Sequence, residues 1–549
     1  MIDRPRRRRA PYVAALGLVG LVAGILLATG WPASGPPPSG APSSSPAATG
    51  PAAEGTIAPP TKAPVAVSIP PAVRVAVVPV THFRAPWSAT SRDEVLAVLD
   101  GTSERYSALE LVAGDADEIL RALETTRPPT ADPARLIEAP DAATLRADLA
   151  ADRTRLAVIR ANEVEAGVRA LAWDGASLFG VDRVASLGEW PLAILESALH
   201  ASGRPSGEPA YDPAAAWTLV AGGDILLDRG VAKTVKVDGR GVDFPFDGGS
   251  AEITGHSCCS AFGWPVPKTA RTGDEGAVRA LFEGADLAIA NFENPAPVEF
   301  RFHTRGTVFS ADPALIEGLA NAGLDYVSLG NNHIRDAGAQ GLLDTIEHLD
   351  AWGIAHSGAG ANVSAARRPA LLEAGGLTVA ILGYDTIAKS YWATADRAGS
   401  AQLTATVVRE DVAAARAAGA ELVIVFPHWG TEYRATPFAA QQALARACVD
   451  AGADLVIGNH AHWAGALEIH HGRPIWYALG NFVFDQSWSE PTMEGITLEL
   501  TFDGTRLAQV VMRPHIILDK AQPNFLDPAA DGAVVMGQVF AASKGLLDW

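Results

Sequence analysis

Five short apolar runs between residues 215 and 465 each finish on a side chain that can ligate a metal, and this recurrence constrains the fold more than any other feature of the chain. They are Trp217-Thr-Leu-Val-Ala-Gly-Gly-Asp224, Asp286-Leu-Ala-Ile-Ala-Asn-Phe-Glu293, Tyr326-Val-Ser-Leu-Gly-Asn-Asn-His333, Glu421-Leu-Val-Ile-Val-Phe-Pro-His428 and Asp454-Leu-Val-Ile-Gly-Asn-His-Ala-His462. Short, β-branched runs bounded by turn-forming residues read as buried strands. In open α/β sheets ligands bind beyond the carboxyl ends of the strands, so these terminal side chains are expected to gather on one edge. His460 and His462, two residues apart on an extended segment, are expected to point to the same side. A single Asp or His after a strand could equally cap the following helix. Five donors of mixed oxygen and nitrogen character instead match a transition-metal centre.

Between the runs, Ala314-Leu-Ile-Glu-Gly-Leu-Ala-Asn321, Gly341-Leu-Leu-Asp-Thr-Ile-Glu-His-Leu349 and Ala439-Ala-Gln-Gln-Ala-Leu-Ala-Arg-Ala-Cys-Val449 carry helical periodicity. Two later runs, from Ile496 and from Arg506, flank Asp503-Gly504, a hairpin signal. Strands alternating with helices, closed by antiparallel strands, predict a layered α/β sandwich over residues 215–520. Residues 233–275 read as an irregular excursion, and 521–549 as a C-terminal tail.

At 549 residues with 48% hydrophobic side chains, the chain is long enough for more than one core. A net charge of −19, with no long basic stretch beyond the extreme N-terminus, excludes nucleic acid as an expected partner. That N-terminus, Arg4 and Arg6 to Arg9 ahead of an apolar stretch from Ala14 to Ala28, reads as a membrane anchor over residues 1–31. The alternative is a cleaved signal peptide. Either reading places the bulk of the protein outside the cytoplasm. Residues 32–71 are Pro-, Ala- and Ser-rich, cannot bury a core and read as an extended linker.

A smaller α/β region is expected at 72–205, with strands at Val73–Val80 and Arg155–Arg160 and a helix capped by Ser91. It weakly resembles half of a periplasmic substrate-binding domain. Cys258 and Cys259 are adjacent and are not expected to bridge each other; Cys448, in an Ala-rich helical run, reads as a core residue.

The motifs Gly223-Asp224, Asn291-Phe-Glu293-Asn-Pro295, Gly330-Asn-Asn-His333-Ile-Arg-Asp336, His428-Trp-Gly430-Thr-Glu432-Tyr433, Gly458-Asn-His460-Ala-His462 and Leu479-Gly-Asn481 together resemble the CapA family of poly-γ-glutamate capsule synthesis, over roughly residues 215–515. The resemblance implies an αββα sandwich of the calcineurin-like metallophosphoesterase type. It also implies a membrane-attached role in capsule or polyglutamate synthesis or export, with membrane synthesis or export partners and a polyanionic polymer or phosphoester as substrate. By the same resemblance one or two divalent ions of the Mn, Fe or Zn class would be held: Glu293 bridging, Asp224 and His462 on the first ion, Asn332, His428 and His460 on the second. His333 would be the general acid, or would stabilise the leaving oxygen, with Asp336 orienting it. One departure stands out. The phosphoesterase pattern has a histidine two residues after the first aspartate, where this chain has Leu226. The first ion would therefore lack a ligand, which favours the alternative of a non-catalytic polymer-binding assembly factor. Glu432 and Tyr433 are expected either to line the pocket or to pack, and His303, His356, His470, His471 and His515 to be surface or satisfied core residues.

Overall fold

The computed structural model describes residues 73–125, 134–196 and 210–547. The expected anchor and linker, 1–31 and 32–71, lie outside the described residues. Among the described residues no helix is long and apolar enough to cross a membrane.

Strand Trp217–Ile225 is buried along its whole length, and its two faces feed different cores. Trp217, Leu219 and Ala221 point into one cluster, Val220 and Ile225 into another. The same alternation holds in Leu422–His428, where Leu422, Ile424 and Phe426 share the first cluster and Val423 and Val425 enter a third. Period-two alternation of apolar residues on both faces is what a strand covered on both sides requires. The shared cluster is the interface between two sheets. Helices Ala277–Gly284, Ile316–Asn321 and Gly338–Trp352 close the outer face of one sheet, Ala405–Ala417 and Ala439–Asp450 that of the other. The architecture is therefore the αββα sandwich.

The larger sheet runs parallel through Trp217–Ile225, Leu287–Phe292, Tyr326–Ser328 and Ala355–Ser357. It continues antiparallel through Glu494–Asp503 and Arg506–Leu518, the hairpin turning at Asp503-Gly504. The second sheet is parallel through Leu377–Asp385, Leu422–His428, Leu455–Ile457 and Arg473–Trp476. Glycine is required where the backbone crowds. A Cβ on Gly223 would sit 2.0 Å from the Gly480 carbonyl oxygen, and one on Gly330 would sit 2.5 Å from the Tyr384 amide. Each of these contacts precedes a candidate donor and fixes its approach.

Three expectations change. Residues 521–547 do not trail away: Gln522–Phe525 pairs with Arg506–Leu518, and helix Gly532–Ala542 buries Val535 and Val539 in the inter-sheet core. Its apolar face gave too short a periodic signal to separate it from a tail. The 233–275 excursion includes a real hairpin, Ser250–Ser257 with Val266–Gly273, on the sheet edge. Near its turn Cys258 and Cys259 are joined in a disulfide across a cis peptide bond. Cys448 is free and buried, as a core cysteine should be.

Residues 73–196 form a separate six-stranded sheet with its own core. Ser91 accepts from Glu94 N and starts helix Arg92–Asp100. This sheet is tied to the sandwich: Gln509 Oε1 accepts from Ala170 N, Glu499 Oε1 from Val181 N, and buried Arg183 donates to the Pro213 and Ala216 carbonyls.

Candidate metal centre

Strand register assembles the first half of the site. Asp224 pairs with Asn291 on one side and Asn481 on the other. Asn291 Nδ2 donates to Asp224 Oδ1 at 2.7 Å and lies 3.2 Å from His428 Nδ1, so one amide joins donors from both sheets. Glu293, two residues beyond Asn291, is fully buried, and neither of its carboxylate oxygens has a hydrogen-bond partner. His428 Nε2 lies 3.4 Å from Glu293 Oε1 and 3.0 Å from His460 Nδ1. His462 Nε2 lies 3.8 Å from the same Glu293 oxygen. The ligand atoms of Glu293, His428 and His460 fall within 4.8 Å of one another, and so do those of Asp224, Glu293 and His462. Glu293 is common to both groups.

His460 and His462 reach this place differently from expectation. The strand stops at Ile457, and both histidines lie on the loop beyond it with left-handed backbone, φ 93° and 56°. Non-glycine residues hold that conformation only where surrounding contacts impose it, at a cost of about 1–3 kcal/mol each. The contacts are visible: His460 N–H donates to Asp224 Oδ2, and His462 Nδ1 donates to Asn481 Oδ1 at 2.9 Å. Asn481 is itself fixed, its Nδ2 donating to the Thr492 carbonyl and its own carbonyl accepting from His515 Nε2. With Nδ1 so engaged, His462 turns the lone pair of Nε2 toward Glu293.

Burial dominates the electrostatics of these donors. Burial pushes the Asp224 carboxyl up to about 7 and Glu293 well above the usual carboxylate range, the latter helped by Asp224 beside it. Burial also holds His428 and His460 well below the ordinary imidazole value and His462 down to about 3. A buried polar atom without a partner costs roughly 1–3 kcal/mol, more for a charge. Two carboxylates among three neutral imidazoles, with neither Glu293 oxygen hydrogen-bonded, fit a divalent metal ion.

Beside this group, His333 Nδ1 donates to Asp336 Oδ2 at 2.7 Å. Asp336 also accepts from Phe309 N and from the Tyr391 hydroxyl, so its position is set by three elements. Asn332 keeps a buried, unpartnered Oδ1, while its neighbour Asn331 donates to the Phe292 carbonyl. Leu226 is packed in an apolar cluster with Phe309 and Phe484; Phe309 lies against the His333 ring and Phe484 against His462. The missing donor has become an apolar wall.

Next to the centre opens a groove of about 1210 Å³, lined by Trp264, Tyr433, Phe438, Trp463 and Trp488 with Glu432 and Arg434. Glu432 and Tyr433 thus line the pocket. His515 is a satisfied core residue, bonded to Thr497 and Asn481, and His470 and His471 sit at the surface beside Asp450. Asn291 and Tyr391 escaped the sequence reading. Asn291 had a signal, since strand alternation sets it on the face of Glu293; Tyr391 comes from a distant segment and had none.

The family model described as bacterial capsule synthesis protein PGA_cap matches residues 218–486. The capsule biosynthesis protein CapA of Bacillus anthracis is 32% identical over 280 residues, 49% of this chain and 67% of that protein. The PGA biosynthesis protein CapA of Bacillus subtilis is 32% identical over 216 residues, 39% of this chain and 57% of its own length. Among solved structures, a 5'-nucleotidase precursor from Thermus thermophilus is 16% identical with a TM-score of 0.33, covering 60% of this chain and 58% of that one. From the family model and the identity to the two relatives, the chain belongs to the bacterial capsule synthesis family typified by CapA.

Proposed function

We propose that this protein acts in the synthesis or export of poly-γ-glutamate or a related capsule polymer, held at the membrane by residues 1–31 with its folded part outside the cytoplasm. Its site hydrolyses a phosphoester-type linkage with divalent metal. The names of the relatives support the polymer role, and the unpartnered, fully buried Glu293 between imidazoles supports the metal site. Glu293 would serve both positions, with Asp224 and His462 holding one and Asn332, His428 and His460 the other. Bound there, divalent ions supply an activated water and a clamp on phosphate oxygens. His333, its Nδ1 committed to Asp336, keeps Nε2 for proton transfer to the leaving oxygen. Asn291 and Asn481 hold Asp224, His428 and His462 in orientation, and the Leu226 wall excludes water from one side.

Metal analysis of the purified protein against a His460→Ala variant, with a phosphoester substrate panel assayed in parallel, tests this reading. Bound metal lost in the variant, with metal-dependent turnover, is the expected result; no bound metal and no such turnover overturns it.

The aromatic groove favours a second reading, in which the pocket grips polymer or partner without chemistry. Complementation of a capsule-deficient strain with Glu293→Ala and His333→Ala separates the two. Full rescue by both selects the non-catalytic role.

A further inference from the structure

Leu226 leaves one metal position short of a donor, and a different residue lies close to both loop histidines. The carboxylate of Glu432 places an oxygen within 4.8 Å of ligand nitrogens of both His460 and His462, forming a third group that overlaps the two described above. Its backbone is tied to those histidines. Tyr433 N–H, the next residue, donates to the carbonyl of Ala461, which lies between them. Tyr433 itself takes a left-handed φ of 61°, a turn that sends the chain back across the loop. Its ring stacks 6.0 Å from His462 and packs against Trp488. The anchoring thus fixes Glu432 at the solvent side of two buried imidazoles, where the groove meets the centre. Leu226 itself is packed with Phe309, Phe484 and Ile517.

We propose that Glu432 is a metal ligand, replacing from the groove side the donor that Leu226 does not provide. The inference deepens the metal-dependent reading and rests on it. A carboxylate at the groove mouth adds an oxygen donor beside His460 and His462. An exposed ligand of this kind is also the one a substrate oxygen entering from the groove would displace.

The test titrates the full-length protein, stripped with chelator, with Mn²⁺ by calorimetry and measures bound metal per chain by elemental analysis. Wild type, Glu432→Gln, Glu432→Asp and His460→Ala are compared, and thermal melts confirm folding. The expected result is that Glu432→Gln loses one ion per chain, or at least tenfold in the affinity of one site, and that Glu432→Asp, which keeps the charge but is shorter, also loses affinity. If Glu432→Gln binds with unchanged stoichiometry and affinity, or if Glu432→Asp behaves as wild type while Glu432→Gln does not, Glu432 is no ligand, whereas the metal centre stands through the loss seen in His460→Ala. Wild type that binds no Mn²⁺ overturns the metal-dependent reading itself, and this inference with it.

Discussion

Asp450, His470 and His471 bring their ligand atoms as close together as Glu293, His428 and His460 do, within 4.8 Å. Solvent separates their chemistry. His470 simply pairs with Asp450 at 2.9 Å, and Asp450 and His471 are exposed to solvent. The buried group has no such recourse: neither Glu293 oxygen has a hydrogen-bond partner, and its carboxyl is forced upward by burial and by Asp224. Proximity of donors is therefore a weak criterion for a metal site, and proximity combined with unsatisfied burial is a strong one.

The contrast can be broken most severely at its centre. Glu293→Ala removes the donor common to both positions and is expected to lower metal affinity by more than about a hundredfold, beyond the 10–100-fold typical of supporting residues. Calorimetric titration that finds wild-type affinity in the variant would end the bridging role. His333→Ala should leave bound metal intact and cut turnover by roughly 10²–10⁴; equal losses in metal content would instead make His333 a ligand. Asn481→Ala frees His462 from its orienting bond and should cost roughly 10–100-fold in metal affinity, read in the same titration.

Glu494 sharpens the comparison because it is a buried carboxylate outside the metal-ligand groups. One of its oxygens is unpartnered, and burial, assisted by nearby Glu490, raises it from 4.5 to about 8. Between those values the folded protein keeps a proton that the unfolded chain releases. Stability from this group is therefore full below about 4.5 and falls as pH rises toward 8, by at most about 1.4 kcal/mol per pH unit. Glu494→Gln should flatten that part of the profile in chemical denaturation; an unchanged slope would refute it. The smallest effect belongs to the surface group, where His470→Ala should leave metal content unchanged and shift stability by less than about 1 kcal/mol.

Much of the centre was legible because strand ends advertise themselves. An apolar run that stops at a carboxylate or imidazole gave Asp224, Glu293, His333 and His428 directly, and motif resemblance added Asp336 and a role for His333. The route by which His460 and His462 enter was not legible. Two-residue spacing suggested an extended segment, but positive φ values held by Asp224 and Asn481 deliver them. Likewise, Leu226 read as a deficit, and only its packing against Phe309 and Phe484 showed a wall. Helix Gly532–Ala542 was missed because a short apolar helix and a tail differ little until there is a core to receive Val535 and Val539.

By itself the sequence determined the layers and the side on which chemistry sits, since apolar periodicity fixes which faces are buried and where each strand ends. Only the tertiary structure decided which donors meet. Asn291 between Asp224 and His428, Asn481 behind His462 and Tyr433 bonded to Ala461 join residues far apart in the chain. Such contacts depend on strand register and sheet packing, which no local pattern of residues encodes.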